Sequence, residues 1–141
     1  MTTSTLTTDS HHTALNFSSI ADLIGRVGLA AIFLLSGLSK IQNYDASAQF
    51  LVSGGLPEFM LPLVIMLELV GAVCIITGFY TRLAALALAG FCILAAVLYH
   101  NNLSDQMQFI MFFKNMAIAG GFLVLAAHGA GALSVDARQT H

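Results

Sequence analysis

Apolar residues gather along this chain into four long stretches, Leu23–Ile41, Phe59–Tyr80, Leu83–Tyr99 and Gln106–Ala127. Each approaches the roughly 20 residues that a helix needs to cross the hydrocarbon of a bilayer. Ala and Leu dominate them and no strict alternation occurs, which disfavours membrane strands. Pro62 falls in the first turn of the second stretch, where a missing N–H costs least. The connections Thr81–Arg82 and His100–Asp105 are short enough to force neighbouring helices antiparallel. The pattern predicts an all-α membrane protein, an up-down bundle of four transmembrane helices.

The remaining segments fit around that bundle. Residues 1–21 read as a disordered N-terminal tail, 22–136 as the helical domain and 137–141 as a C-terminal tail. Met1–Asn16 is rich in Thr and Ser and has no Lys or Arg. It lacks the basic start and apolar core of a secretory signal, so the first span is expected to stay in the mature chain. Asp45–Val52 predicts a short helix on the outer surface, and Gly54-Gly55-Leu56-Pro57 a turn back into the membrane.

Composition sharpens the picture through charge. The 141 residues are 57% hydrophobic and 9% charged, against about 45–50% and 25% in soluble domains. A soluble enzyme and a disordered chain are disfavoured together. The net charge of −2 supplies no patch for nucleic acid. Arg82 and Arg138, with Arg26 near the edge, fall on the side of the N-terminus, whereas Gln42–Glu58 and His100–Asp105 carry no Lys or Arg. Basic residues in short loops favour the cytoplasm, which predicts both termini inside. Tyr44, Tyr80 and Tyr99 fall at predicted helix ends, where interfacial aromatics gather.

Four charges lie within the spans: Arg26, Lys40, Glu68 and Lys114. A charge at the bilayer centre costs about 2.5–3.5 kcal/mol on insertion scales, so such groups face protein or water and mark functional sites. Arg26, Ala30, Phe33, Gly37 and Lys40 step by four and three, so both cations share one helix face. Glu68, Ala72, Ile75, Phe79 and Arg82 repeat the spacing, as do Lys114, Ile118, Gly121, Leu125 and His128. At 1.5 Å per residue, Glu68 lies roughly 14 Å and Lys114 roughly 12 Å from the outer helix ends. Equal depth predicts a Glu68–Lys114 ion pair. The competing reading is that the charges only set helix register, with Lys40 snorkelling outward and Arg26 inward.

Asn115, beside Lys114, is a candidate hydrogen-bonding partner for a ligand or a neighbouring helix. His100 ends the third span on the outer side and His128 the fourth on the inner side. About 30 Å of hydrocarbon separates them, so they cannot hold one haem or metal, and no metal site is expected. Cys74 and Cys92 differ in depth by roughly 6 Å at helical rise, which argues for buried thiols rather than a disulfide.

Taken together, Gly25-Arg26, Ser36-Gly37-x-x-Lys40, Gly55-Leu56-Pro57, Glu68-x-x-Gly71, Thr81-Arg82, His100, Phe113-Lys114-Asn115 and Gly129-x-Gly131-Ala132-x-Ser134-x-Asp136 form a recognisable order. In this the chain resembles the DoxX family of bacterial four-helix membrane proteins, and its YqjF-like branch, from about Asp22 to Asp136. The resemblance implies a bacterial inner-membrane location and a link to quinone or thiol redox partners. No cofactor motif is present in the sequence, so electron transfer would need a bound quinone or a partner protein, and whether the chain is itself an enzyme stays open.

Two functions follow. In the first, a quinone enters from the lipid and meets Lys40, Glu68, His100, Lys114 and Asn115, with Glu68, Lys114 and His100 as candidates for hydrogen bonding and proton transfer. Arg26 and Arg82 are then structural charges. In the second, the chain is a non-catalytic scaffold or small-molecule carrier, with a homo-oligomer as one form.

Overall fold

A computed structural model describes residues 16–140. Its long helices are α1 (Phe17–Gln42), α3 (Leu61–Thr77), α4 (Thr81–Tyr99) and α5 (Gln106–His128). A shorter α2 (Tyr44–Ser53) follows α1 almost directly, and α6 (Val135–Gln139) closes the chain. Four helices, counting the Glu58–Met60 turn with α3, are long and apolar enough to span a membrane. No strand occurs among the described residues. The all-α, four-span architecture expected from the apolar stretches is the one observed.

The ends of the elements show local chemistry that hydropathy misses. Asn16 caps α1 by accepting from the Ser19 N–H at 2.9 Å, so the helix starts at Phe17, inside the segment read as tail. Residues 1–15 lie outside the described residues. The second apolar stretch is not helical throughout. Glu58–Met60 is a 3-10 turn, and α3 stops at Thr77 because Gly78 adopts a left-handed φ of 71°. A side chain there would also collide with Ser134 and Arg26. Phe79 and Arg82 are therefore off the Glu68 stripe. Past Ser134, α6 orders residues assigned to the C-terminal tail.

The long helices pack in sequence, α1 on α3, α3 on α4 and α4 on α5, with a lighter contact between α1 and α5. Ala30, Phe33, Ala72, Ile75, Leu88, Cys92 and Phe122 form the centre of the bundle. The expected stripe on α1 is the buried one: Arg26, Ala30, Phe33 and Gly37 are all inside. On α5 only Ala119 and Phe122 are fully buried; Ile118, Gly121 and Leu125 of its stripe are half-buried, Ile118 and Leu125 against the core, and Lys114 and His128 at its ends are exposed. In a bilayer the exposed apolar side chains of its other face, Phe109, Phe113, Leu123 and Val124 among them, face lipid.

Arg26 does not snorkel. It is 1% exposed, and its Nη1 donates to the carbonyls of Ile75 and Ile76 at 3.0 Å each. Nη2 donates to the carbonyl of Leu133. The guanidinium thus satisfies the last turn of α3, whose carbonyls have no partners within the helix. Asp136 does the converse for α4, its carboxylate accepting from the N–H groups of Tyr80 at 2.8 Å and Thr81 at 3.0 Å. The C-terminal segment therefore latches the α3–α4 turn from outside. Burial would raise the Asp136 pKa, but the hydrogen bonds from Thr81 and Tyr80 and the nearby Arg26 charge outweigh it and hold the carboxyl below its ordinary value.

We expect D136A to lower the stability of the solubilised protein by about 0.5–2 kcal/mol, the usual worth of a helix cap, measured by thermal unfolding. Because the folded pKa is depressed, this contribution is present above the unfolded value near 4 and fades as pH falls through the folded one. The gap between wild type and D136A should accordingly close in acid; a gap that widens would contradict the cap.

Candidate functional site

Lys40 and Ser36 stand one turn apart on α1, and Glu68 faces them from α3. Lys40 Nζ donates to Glu68 Oε1 at 3.0 Å and Oε2 at 3.1 Å, and to Ser36 Oγ at 2.7 Å. Ser36 Oγ in turn donates to Glu68 Oε1 at 3.3 Å. The Glu68 side chain is 3% exposed and that of Lys40 25%. Gly37 makes the approach possible, since a Cβ there would come within 2.7 Å of Leu69. A buried carboxylate is tolerable when it is paired and hydrogen-bonded, and this one is both.

The ion pair expected from depth, Glu68 with Lys114, does not form. Lys114 Nζ instead contacts Met111 Sδ at 3.2 Å on its own helix. Two features decide the outcome. Helix α5 packs on α4, whereas α3, which carries Glu68, packs closely on α1. Side chains also tilt toward the N-terminus of their helix. Lys40, near the end of α1, folds back into the bundle over Ser36 and does not snorkel outward. Glu68 leans toward the start of α3 to meet it.

Beside this triad lies a cavity of about 480 Å³, walled by Phe33, Val64, Phe91, Leu98 and Ile118 among others. That volume suits a small organic ligand. Lys40, Glu68, His100, Lys114 and Asn115, the polar residues singled out in the sequence, all line it. Helices α1 and α5 touch where Leu29 meets Gly121 and where Phe33 and Phe122 pack 5.5 Å apart. Past that contact the cavity lies between them, with exposed Ile32, Ser39 and Lys114 at its rim. It therefore opens on the flank of the bundle.

Helix α2 supplies the roof through Ser47, Phe50 and Leu51. Tyr99 fastens it there, donating from its hydroxyl to the Leu51 carbonyl at 2.9 Å and stacking on Phe50 at 4.6 Å. Gly54 leaves room for the Tyr99 ring. Sequence reasoning placed Tyr99 at a membrane interface and passed over its second role. Ser36 was visible only as part of the Ser36-Gly37-x-x-Lys40 spacing.

The other polar wall comes from α4 and α5. Asn115 Nδ2 donates to the Met111 carbonyl at 3.0 Å, leaving the side-chain oxygen as an acceptor. His100 follows the last turn of α4. Burial, and then the charge of Lys114, push its pKa below the ordinary value, so the ring is neutral at pH 7. Arg82 is exposed at the opposite end and belongs to no part of this cavity. Cys74 and Cys92 are both free thiols, Cys92 being in the core. Among the described residues no group of His, Cys, Asp and Glu is arranged to hold a metal.

The fold and site define a four-span helical membrane protein with a paired carboxylate beside a flank-opening cavity. The family model described as DoxX matches residues 21–101, and the chain belongs to that family. "Inner membrane protein YqjF" of Escherichia coli (strain K12) is 45% identical over 114 residues, covering 81% of this chain and 88% of the relative. "Inner membrane protein YphA" of the same organism is 36% identical over 123 residues, covering 82% and 88%. "Putative oxidoreductase CatD" of Bacillus subtilis (strain 168) is 39% identical over 70 residues, covering 50% and 52%. No solved structure matched. The family match includes Lys40, Glu68 and His100 and ends before α5, so Lys114 and Asn115 lie beyond it.

A double-mutant cycle separates the two ion pairs. K40M and E68Q should be coupled by about 1–3 kcal/mol in stability, whereas K114M and E68Q should add within about 0.5 kcal/mol. Coupling of Glu68 to Lys114 in place of Lys40 would reverse the assignment.

Proposed function

We propose that this DoxX protein is the membrane component of a redox system, and that its cavity takes a quinone-type ring from the bilayer. The single observation behind this reading is that polar groups from four separate helices line one otherwise apolar and aromatic cavity that opens on the flank. Such a site suits a lipid-soluble ring with polar oxygens at its edge. The relative named as an oxidoreductase lends support.

A bound quinone would supply the capacity to take up electrons and protons together. Each polar wall has its own task. Lys114 Nζ and the neutral His100 ring donate to ring oxygens, and Asn115 Oδ1 accepts from a ring hydroxyl. Lys40 has its N–H groups committed to Ser36 and Glu68, so the triad acts through Glu68, which holds or hands on a proton. The apolar walls exclude water from the ring. Electrons come from a partner protein. The arginines at the opposite end support a cytoplasmic side for that end and for both termini, in an inner membrane like that of the named relatives.

A second reading is a non-catalytic scaffold or carrier, and one observation favours it. Helix α5 buries only Ala119 and Phe122 against the rest of the chain, which leaves an apolar face for another chain. Native mass spectrometry after mild solubilisation distinguishes the readings, through a bound small molecule in the first case and an added chain in the second.

For the first reading, wild type in lipid nanodiscs should bind naphthoquinone, measured by fluorescence quenching against empty discs. E68Q and K40M should weaken that binding about tenfold, the loss expected when the triad facing the ring is disrupted. No binding by wild type, or unchanged binding by both variants, would refute it.

A further inference from the structure

The charge balance of the cavity narrows what it holds. Lys40 and Glu68 cancel, and the ammonium group already has Ser36 Oγ and both carboxylate oxygens as partners. The other groups on the opposite wall are the amide of Asn115 and the ring of His100, both uncharged at neutral pH. Lys114 remains. Among the described residues the Lys40–Glu68 bridge is the one ion pair, and the side-chain contact of Lys114 is the thioether of Met111. A thioether is a weak acceptor and carries no countercharge.

Lys114 sits eight residues after the start of α5 at Gln106, roughly 12 Å in from the helix end. A cation at that depth is costly unless it is paired or wet. No acidic side chain other than Glu68 lines the cavity, and Glu68 is satisfied by α1. The cavity therefore has one uncompensated positive charge against apolar walls. The position of Lys114 at the rim, near His100, puts that charge where an occupant entering from the flank would meet it.

We propose that the cavity selects an amphiphilic anion, an apolar ring or chain bearing one ionised oxygen group, with the negative charge seated on Lys114. This deepens the reading of the cavity as a quinone site, on which it rests for the ring form of the ligand: the preferred ring has an ionised hydroxyl and is not the neutral compound. The pairing supplies a countercharge to an ammonium that is otherwise unpaired at membrane depth, at the same time as it binds the ligand. A lysine that merely snorkels to the surface would make no distinction between a neutral and an anionic occupant.

Two probe pairs test this in zwitterionic nanodiscs, with empty discs as reference. The first is hydroxynaphthoquinone, an anion at neutral pH, against naphthoquinone. The second is decanoate against decanol. Wild type should bind the anion of a pair at least tenfold tighter than its neutral partner. K114M should bring the two within about threefold by weakening the anion far more than its neutral partner, and K114R should keep the preference. An unchanged helical circular dichroism spectrum and thermal unfolding midpoint of K114M show that the variant is folded. Equal affinities in wild type for both pairs, or a preference undiminished in K114M, would overturn the proposal. If neither naphthoquinone binds but decanoate outbinds decanol through Lys114, the ring reading fails and the anion assignment stands.

Discussion

Glu68 is a carboxylate held where water does not reach, and the upper half of the bundle is organised around making that tolerable. Its charge needs a cation, and Lys40 provides one by folding back along α1 over Ser36. The contact draws α1 onto α3 so closely that a Cβ at position 37 would come within 2.7 Å of the Leu69 side chain. Once Glu68 is committed to α1, the α5 wall is left with an unpaired lysine, and the space between the walls becomes a cavity. A buried ion pair is weak evidence for stability by itself. Here its effect is geometric, since it decides which helices close and which stand apart.

The opposite end uses charge in the contrary sense. Arg26 ties α3 to the segment before α6, and Asp136, in α6 itself, ties that helix to the start of α4. These groups meet backbone dipoles rather than one another, so they consume the loose hydrogen-bonding groups of the α3–α4 turn. One end of the bundle is thereby sealed by its charges and the other is opened by them. The cavity, its roof of α2 and its tether at Tyr99 all belong to the open end.

Much of this was legible in the chain itself. The α1 stripe was read correctly from Arg26 to Lys40, because a regular helix makes three- and four-residue spacing a reliable guide to shared faces. The five polar residues proposed for a site do converge, since a charge or amide in a span has few places to go other than the interior. The α3 stripe failed beyond Ile75, because Gly78 turns the chain out of the helix and hydropathy does not register a change of φ. The tail boundary shifted for a similar reason, as Asn16 begins α1 through a cap that a hydropathy pattern does not contain.

By itself the sequence determined the number of spans, their antiparallel order and the faces on which charges lie, because those follow from local periodicity and the hydrocarbon thickness. It did not determine which cation Glu68 takes. Equal depth pointed to Lys114 and left Lys40 at the outer end of its span, and depth was all that spacing along a helix can report. The choice depends on which helices are neighbours and on the tilt of each side chain toward its own N-terminus. Only the packed bundle supplies both, and from that choice come the free Lys114 and the cavity it lines.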